Sequence, residues 1–255
     1  MGRRSARQDE RAFVIEGPKL LHEALAAGSP VEAVFVGPGV DDPAVDAVVG
    51  AAAAAGIAVH ELAAGVVERV AHTVTPQPVL AVIPFLDVPV ERLRGTTFLV
   101  VCVEVRDPGN AGTVMRSAVA AGAEGLLFCD GSVDVYNPKT VRASAGSLFH
   151  VPVVVGGDAV EVLDRLAGWG LARTGTAARA GVDYTEADLT RPTALVLGNE
   201  ANGLPAHVEA GLDLTLTIPM AGRSESLNVG MAAAVVCFEV ARQRRRMPSA
   251  GGPTP

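Results

Sequence analysis

The stretch Thr193-Ala-Leu-Val-Leu-Gly-Asn-Glu-Ala-Asn-Gly-Leu204 runs from an apolar strand pattern directly into a polar loop that contains two glycines. Its apolar residues are typical of a strand buried on both faces of a parallel sheet. Gly198 and Gly203 permit a left-handed backbone or the close approach of another backbone segment. The stretch predicts a central strand that ends in a ligand-binding loop, and the plain alternative is an ordinary turn with an exposed Glu200.

Two other stretches repeat this arrangement of an apolar run followed by a polar, glycine-bearing loop. Residues 97–105 lead into Asn110-Ala-Gly-Thr-Val-Met-Arg116. Residues 214–218 lead into Ile218-Pro-Met-Ala-Gly-Arg-Ser-Glu-Ser-Leu-Asn228. Because ligands bind at the carboxyl ends of the strands in mostly parallel sheets, the three loops predict one composite site.

Strand and helix patterns alternate through the second half of the chain. The strands are expected at residues 97–105, 125–129, 151–155, 171–175, 193–198 and 214–218, and the helices at residues 112–121, 138–149, 158–167, 205–210 and 227–243. Apolar strands that alternate with helices indicate an α/β fold whose parallel sheet is covered on both faces.

The first part of the chain predicts a smaller α/β unit. Residues 13–27 have a helix pattern whose start is expected at Gly17-Pro18, because proline suits the first helical position. Further elements are expected at residues 31–36, 45–55, 66–73 and 79–85. The predicted organisation is an N-terminal domain at 1–85, a linker at 86–96, a second domain at 97–247 and a disordered tail at 248–255.

Composition indicates a globular protein, since 49% of the 255 residues are hydrophobic and 19% are charged. The apolar runs are too short for a membrane span, and no apolar segment follows Met1 as in a signal peptide. Cys102, Cys129 and Cys237 lie in apolar settings, which favours reduced thiols in a cytoplasmic protein. No histidine and cysteine pair has metal-ligand spacing, so no metal site is expected.

The charge of the chain is uneven. A net charge of −7 is unfavourable for a nucleic-acid binder. Arginines nevertheless cluster near both ends, at Arg3, Arg4 and Arg7 and again at 242–246. These clusters are either frayed, solvated termini or basic arms that contact an RNA backbone.

Capping chemistry offers a purely structural explanation for several polar residues in the loops. Asn110 is a candidate N-cap, and Arg116 would then lie on the solvated face of the helix that follows. Ser226 is a candidate N-cap for the long apolar helix that follows, with Asn228 in its first turn.

The three stretches together resemble the sequence motifs of the SpoU (TrmH-type) RNA 2′-O-ribose methyltransferase family of the SPOUT superfamily. The first resembles Asn-x-Gly-x-x-x-Arg, the second matches Leu-Gly-x-Glu-x-x-Gly-Leu, and the third resembles the family's third motif. The segment at 137–147 and the segment at 11–25 are also similar to family segments. The layout is closest to the 23S rRNA and thiostrepton-resistance-type enzymes.

The resemblance implies a C-terminal SPOUT domain with a parallel sheet and a trefoil knot, preceded by a ribosomal-protein-like substrate-binding domain. It implies S-adenosyl-L-methionine as cofactor, RNA as partner, with rRNA favoured over tRNA, and a homodimer formed through the last helix and the first helix of the SPOUT domain.

The resemblance also implies roles for particular residues. The implied catalytic residues are Asn110, Arg116, Glu200, Ser226 and Asn228. The implied cofactor-binding residues are Leu197, Gly198, Asn199, Gly203, Ile218, Pro219, Met220 and Leu227. The implied RNA-binding residues are Arg11, Lys19, Lys139 and Arg142, of which Lys139 and Arg142 could equally be exposed helix charges.

Methyl transfer to a ribose hydroxyl requires help with the hydroxyl proton. Arg116 is an unsuitable base because a guanidinium stays protonated, so it is better suited to holding a phosphate and stabilising the developing alkoxide. Glu200 or the RNA phosphate could take the proton. A tRNA methyltransferase and a non-catalytic RNA-binding protein remain alternatives. A Rossmann enzyme is disfavoured, since Gly109 and Gly112 lack the required glycine spacing.

Overall fold

The computed structural model describes residues 3–70 and 75–246 and contains two β-sheets. The first sheet has the order β1-β4-β2-β3, with β4 antiparallel to both neighbours and β2 parallel to β3. The elements of this first part are α1 (Arg4–Glu10), β1 (Ala12–Glu16), α2 (Pro18–Ala26), β2 (Ala33–Val36), α3 (Pro43–Ala54), β3 (Ala58–Glu61), α4 (Val66–Val70) and β4 (Val79–Pro84).

The helix expected to start at Gly17-Pro18 is α2, and residues 13–16, which had a helix pattern in the sequence, belong to the strand β1. Phe13 and Ile15 alternate with more exposed neighbours, and this two-residue period pairs β1 with β4. Gly17 has a φ of 99° and separates the strand from α2, which begins at Pro18 as predicted. The helix α1 and the strand β3 were not predicted from the sequence. The last three residues of the helix expected at 66–73 and the expected tail at 248–255 lie outside the described residues.

The second sheet has seven strands in the order β7-β6-β5-β10-β8-β11-β9, and every pairing in it is parallel. The predicted α/β class with a parallel sheet is therefore confirmed. The elements are β5 (Phe98–Cys102), α5 (Pro108–Ala120), β6 (Gly125–Phe128), α6 (Pro138–Ser144), β7 (Val153–Val155), α7 (Ala159–Gly168), β8 (Ala172–Thr176), β9 (Val182–Asp183), β10 (Thr193–Leu197), α8 (Ala206–Glu209), β11 (Leu214–Thr217) and α9 (Val229–Arg245).

Two predicted boundaries are wrong for the same reason. The strand expected at 97–105 stops at Cys102, and Glu104 has a φ of 53°. The helix expected at 138–149 ends at Ser144, because Ala145 and Gly146 have φ values of 50° and 95°. A left-handed residue cannot continue either a strand or a right-handed helix. The two-residue strand β9 was not predicted.

The core lies on both faces of the central strands β5 and β10, whose residues are all buried. On one face Val114 and Val236, from α5 and α9, pack with Val100 in one apolar cluster. On the other face Leu163 of α7 packs with Val101. Because the sheet is covered on both sides, its polar loops at the carboxyl edge are the part left free to bind a ligand.

The basic ends of the chain are part of the folded structure. Arg7 is 3% exposed and forms an ion pair with Asp134, so it is not a frayed residue. Arg244, near the end of α9, donates hydrogen bonds to the carbonyl oxygens of Thr97 at 2.9 Å and Arg191 at 2.7 Å. Arg244 therefore binds the protein's own backbone at the amino edge of the second sheet.

The two sheets are joined by an aromatic cluster. Tyr136 stacks on Phe85 with ring centroids 4.0 Å apart and contacts Phe13 at 4.9 Å. Its hydroxyl group donates to the Asp87 carboxylate and accepts from the Leu86 N–H. The segment that leaves the first sheet is thereby attached to the second.

The three cysteines are buried and unpaired. Burial raises the pKa of the Cys129 thiol to about 12, and that of Cys237 to about 12 as well. Within residues 3–70 and 75–246 the structure contains no cluster of metal-ligating side chains. No described helix is long and apolar enough to cross a bilayer.

Candidate active site

The three polar loops meet at the carboxyl edge of the second sheet, where the loops after β10 and β11 help to surround a cavity of about 780 Å³ including its open mouth. The lining residues come from the loops after β8, β10 and β11 and from the start of α9: Thr176, Ala177, Ala178, Gly198, Asn199, Glu200, Ala201, Gly203, Leu216, Ile218, Met220, Glu225, Ser226, Leu227, Val229 and Ala232.

The loop after β10 is a tight backbone structure that needs both of its glycines. Asn199 and Gly203 exchange two backbone hydrogen bonds of 2.9 Å. A Cβ on Gly198 would lie 2.4 Å from the carbonyl carbon of Gly203, and Gly203 itself has a φ of 70°. The backbone that approaches Gly198 therefore belongs to its own loop.

The Asn199 side chain holds this loop against the end of β5. Its Nδ2 donates to the Glu104 carbonyl oxygen at 2.9 Å, and its Oδ1 accepts from the N–H groups of Ala201 and Asn202 at 3.0 and 3.2 Å. Glu104 is the residue with the left-handed backbone. Strained backbone of this kind is retained where the surrounding structure fixes it, often at functional sites.

Glu200 connects the same loop to the start of α5. Its Oε1 accepts hydrogen bonds from Asn110 Nδ2 at 2.9 Å and from the Asp107 N–H at 3.2 Å. Partial burial raises the pKa of Glu200, but the hydrogen bonds from Asn110 and from nearby backbone N–H groups outweigh this effect and lower the pKa overall. Glu200 is therefore an ionised acceptor and a weak base.

Asn228 completes the connection from the third loop. Its Nδ2 donates to Asn110 Oδ1 at 2.8 Å, while its Oδ1 accepts from the Gly230 N–H at 2.9 Å. One side chain from each loop thus joins the chain Glu200–Asn110–Asn228. This network fixes the three loops relative to one another at the rim of the cavity.

Both predicted N-caps are wrong. Asp107 caps α5 through the Asn110 N–H at 2.8 Å, and this hydrogen bond lowers the pKa of Asp107. The helix begins earlier than expected because Pro108 suits its first position. Asn228 caps α9, and Ser226 instead lines the cavity. Because Asp107 caps α5, the Asn110 side chain is free to bond with Glu200 and Asn228.

Arg116 lies on α5, two turns beyond the network. Its side chain is exposed, and it has no hydrogen-bonding or ionic partner within the described residues. Thr113, on the same side of the helix, contacts the start of α9, where a Cβ on Gly230 would come within 2.9 Å of it. Arg116 does not line the cavity, so it is open to a ligand outside it.

The predicted cofactor residues divide into two groups. Six line the cavity, namely Gly198, Asn199, Gly203, Ile218, Met220 and Leu227. Leu197 is fully buried within β10 beneath the loop, and Pro219 lines a neighbouring outer cavity. The cavity combines apolar side chains with a polar rim, a combination that fits the adenosine portion of S-adenosylmethionine.

The sequence analysis missed the loop after β8. Thr176, Ala177 and Ala178 line the cavity because β8 ends at the same edge as β10 and β11. The strand pattern at 171–175 was recognised, but small residues with no chemical motif follow it. Their position at the carboxyl end of a sheet strand was the available signal.

The predicted RNA-binding residues lie in different settings. Arg11 pairs with Asp87 at 3.0 Å and lies over the Phe85 ring. Lys139 is 3.6 Å from the Asp107 carboxylate, beside the start of α5. The side chains of Lys19 and Arg142 are exposed, with no ionic partner among the described residues.

Two sequence families match the chain. The SpoU rRNA methylase family matches residues 97–238, and the MRM3-like substrate binding domain matches residues 1–81. The chain is 34% identical over 234 residues to the 23S rRNA (guanosine(2553)-2′-O)-methyltransferase RlmP of Bacillus subtilis (strain 168), covering 92% of this chain and 90% of that protein.

Two further similarities concern Streptomyces viridochromogenes. The 23S rRNA (uridine(2479)-2′-O)-methyltransferase of that organism is 43% identical over 142 residues, which span 54% of this chain and 50% of that protein. The crystal structure of the SpoU methyltransferase AviRb in complex with the cofactor AdoMet aligns with a TM-score of 0.84 at 31% identity, covering 96% of this chain and 95% of that one.

Proposed function

Because the chain belongs to the SpoU rRNA methylase family, we propose that it transfers the methyl group of S-adenosylmethionine to a ribose 2′-hydroxyl group of ribosomal RNA. The observation that carries this proposal is the cavity formed by the loops after β8, β10 and β11, with the Glu200–Asn110–Asn228 network at its rim. The similar proteins from Bacillus subtilis and Streptomyces viridochromogenes act on 23S rRNA, which favours rRNA over tRNA.

In this proposal the cavity holds the cofactor. When bound, the cofactor supplies a methyl group from its sulfonium, which is a good leaving group because it departs as a neutral thioether. The apolar side chains of Ile218, Met220 and Leu227 would hold its adenosine portion, and the backbone at Gly198 and Gly203 shapes the wall of the cavity. Asn199 maintains that wall through its hydrogen bond to Glu104. Leu197 supports the loop from below, and Pro219 belongs to the mouth.

Arg116 acts on the RNA in this proposal. Its exposed guanidinium stays charged at neutral pH, so it can bind the phosphate beside the target ribose and stabilise negative charge on the attacking oxygen. Ser226, at the cavity wall, is suited to orienting the ribose by a hydrogen bond. Glu200 has the role of a positioning residue, since its lowered pKa makes it a poor acceptor for the hydroxyl proton. The proton that the hydroxyl group releases passes to solvent water at the open mouth of the cavity.

We assign RNA substrate binding to the first domain, at residues 1–85, with methyl transfer in the domain at 97–247. The match of residues 1–81 to a substrate binding domain supports this division. Lys19, Lys139 and Arg142 offer exposed cations to the phosphates, and Arg11 adds a fourth beside Phe85. We also propose that the domain at 97–247 contains a trefoil knot and that the protein is cytoplasmic.

A homodimer is also part of the proposal. Leu227, Met231 and Phe238 are 39%, 56% and 47% exposed, and they follow one stripe along α9 and its start. The sequence of α9 is apolar over most of its length, and a single subunit leaves this stripe uncovered. Because large apolar side chains grouped on a surface mark interaction sites, we infer that a second copy covers them.

The test is methylation of RNA from a strain that lacks the gene. Purified protein and labelled S-adenosylmethionine are incubated with 23S rRNA, 16S rRNA and tRNA from that strain, and modified nucleotides are mapped by mass spectrometry. We expect one 2′-O-methylated nucleotide in rRNA. Label in tRNA alone would contradict the proposed substrate, and label on a base would contradict the proposed reaction.

A further inference from the structure

An ion pair joins two of the loops at the mouth of the cavity. Arg179 Nη2 lies 3.4 Å from Glu225 Oε1, and their side chains are 77% and 84% exposed. Arg179 follows β8, and Glu225 follows β11. No motif of the sequence analysis includes Arg179, and the function proposed above leaves both residues without a role.

The ion pair faces a second, outer cavity of about 690 Å³. The outer and inner cavities share Ala178, Ile218, Met220 and Glu225 in their linings, so they form one continuous space. A ligand seated in the inner cavity can therefore extend between Arg179 and Glu225.

The charges in this space are unevenly divided. Among the described residues that line the inner cavity, the charged ones are Glu200 and Glu225, both acidic. The cations of the outer lining are Arg179 and Arg223. A ligand carboxylate is repelled in the inner cavity and attracted to the outer one, because like charges at short range are unfavourable.

The backbone on both sides of Arg179 is held in place. Thr217 Oγ1 donates to the Ala177 carbonyl oxygen at 3.2 Å. On the other side Ala180 has a φ of 63°, which is unfavourable for alanine, and a Cβ on Gly181 would lie 2.7 Å from the carbonyl carbon of Leu216. Tight packing on β11 thus maintains a strained turn that presents Arg179 at the cavity mouth.

We propose that Arg179 and Glu225 bind the amino-acid end of S-adenosylmethionine, with the guanidinium on its α-carboxylate and the Glu225 carboxylate on its α-ammonium group. This inference rests on the cofactor cavity proposed above. A zwitterion matches a pair of opposite charges, since each of its groups meets a partner. An RNA phosphate at the same place would gain from Arg179 but would be repelled by Glu225.

The test compares ligands with and without the amino-acid end. Isothermal titration calorimetry measures the affinity of the protein for two ligands. S-adenosylhomocysteine carries the zwitterion without the sulfonium charge, and 5′-methylthioadenosine lacks the zwitterion. We expect Arg179→Ala to lower the affinity for S-adenosylhomocysteine about tenfold, equivalent to about 1.4 kcal/mol, and to leave the affinity for 5′-methylthioadenosine unchanged. We expect Glu225→Gln also to lower only the affinity for S-adenosylhomocysteine, by a smaller factor.

Arg223→Ala is the matched control, since it removes the same charge from the same outer cavity without breaking the ion pair. We expect it to weaken the binding of S-adenosylhomocysteine much less than Arg179→Ala does, through the loss of long-range attraction alone, and to leave the binding of 5′-methylthioadenosine unchanged. Equal weakening of both ligands by Arg179→Ala, or unchanged binding of both, would overturn the proposal, and so would a loss confined to RNA binding. Failure of the unaltered protein to bind either ligand would instead overturn the cofactor cavity itself.

Discussion

Asn228 Nδ2 donates to Asn110 Oδ1 over 2.8 Å, so the residue that caps α9 is bonded to the first turn of α5. The Asn110 amide nitrogen in turn donates to Glu200 at 2.9 Å. These hydrogen bonds fix the orientations of the Asn110 and Asn228 side-chain amides, because each amide nitrogen then meets an acceptor. The loops of the proposed site are thus held by side chains and not by packing alone.

Asn228 both caps α9 and positions Asn110, and two substitutions separate these two roles. Asn228→Ala loses both roles and is expected to cost about 1 kcal/mol of unfolding free energy from the lost cap. Asn228→Asp keeps the cap but cannot donate to Asn110, so stability is expected to stay close to that of the unaltered protein while turnover falls by up to about a hundredfold from misplaced loops. Denaturation and methyl-transfer rates measure the two effects. Full activity in the aspartate variant would contradict the positioning role.

Glu200 predicts a specific pH dependence. Its pKa in the folded protein is lowered, so its ionised form stabilises the loops above the unfolded pKa of about 4.3, and this contribution is lost as the pH falls through the folded pKa. The difference in melting temperature between the protein and Glu200→Gln is therefore expected to be constant above about pH 5 and to shrink in acid. A difference that grew in acid would contradict the assignment.

Arg116→Ala is expected to lower methyl transfer by about a hundredfold or more, because it removes the cation that the proposed mechanism assigns to the reacting oxygen. Cofactor affinity should stay within a few-fold, because Arg116 does not line the cavity. Arg116→Lys keeps the charge but loses the planar fork, so partial activity is expected. Rates from single-turnover experiments and affinities from calorimetry separate the two quantities. Near-normal turnover in the alanine variant would remove Arg116 from the mechanism.

The two glycines of the β10 loop predict different outcomes for the same change. Gly198→Ala places a Cβ 2.4 Å from the Gly203 carbonyl carbon, so the loop must move, and cofactor affinity is expected to fall at least about tenfold. Gly203→Ala meets open space but strains the backbone, at a cost of about 1–2 kcal/mol of stability with affinity largely kept. Equal cofactor affinity in both variants would show that the loop does not shape the cavity.

The exposed stripe on α9 predicts the oligomeric state. The protein is expected to sediment as a dimer with an interface above about 1,000 Å². Phe238→Glu, at a 47% exposed position, should give monomers that remain folded. Val155→Glu, at a 44% exposed position on β7, is the control that should leave the dimer intact. Val236 is unsuitable for this purpose because it is fully buried within the subunit.

The convergence of Asn110, Glu200 and Asn228 could be predicted from the sequence because parallel strands end at one edge of a sheet. The capping residues could not, since Asp, Asn and Ser are nearly equivalent N-caps and only the packed structure selects among them. Asp107 and Asn228 were selected because α5 begins at Pro108 and α9 begins at Val229.

Other features escaped sequence analysis for different reasons. The first strand, β1, runs into α2 through Gly17, and its few apolar residues fit a helix as well as a strand until β4 is present to pair with it. Arg179 lies in a loop of small residues without a motif, and only the fold brings it within 3.4 Å of Glu225. Contacts between residues distant in the chain leave no local periodicity to detect.

The position of α9 in the chain has a consequence for the protein's synthesis. This helix supplies Val229 and Ala232 to the cavity, is capped by the network residue Asn228, and places Arg244 at the opposite edge of the sheet. A ribosome adds roughly 5–20 residues each second from the amino end, so every strand is made before the helix that covers β5 and β10 on one side. The cavity therefore stays incomplete until residues 229–245 have emerged from the ribosome and folded back onto the sheet.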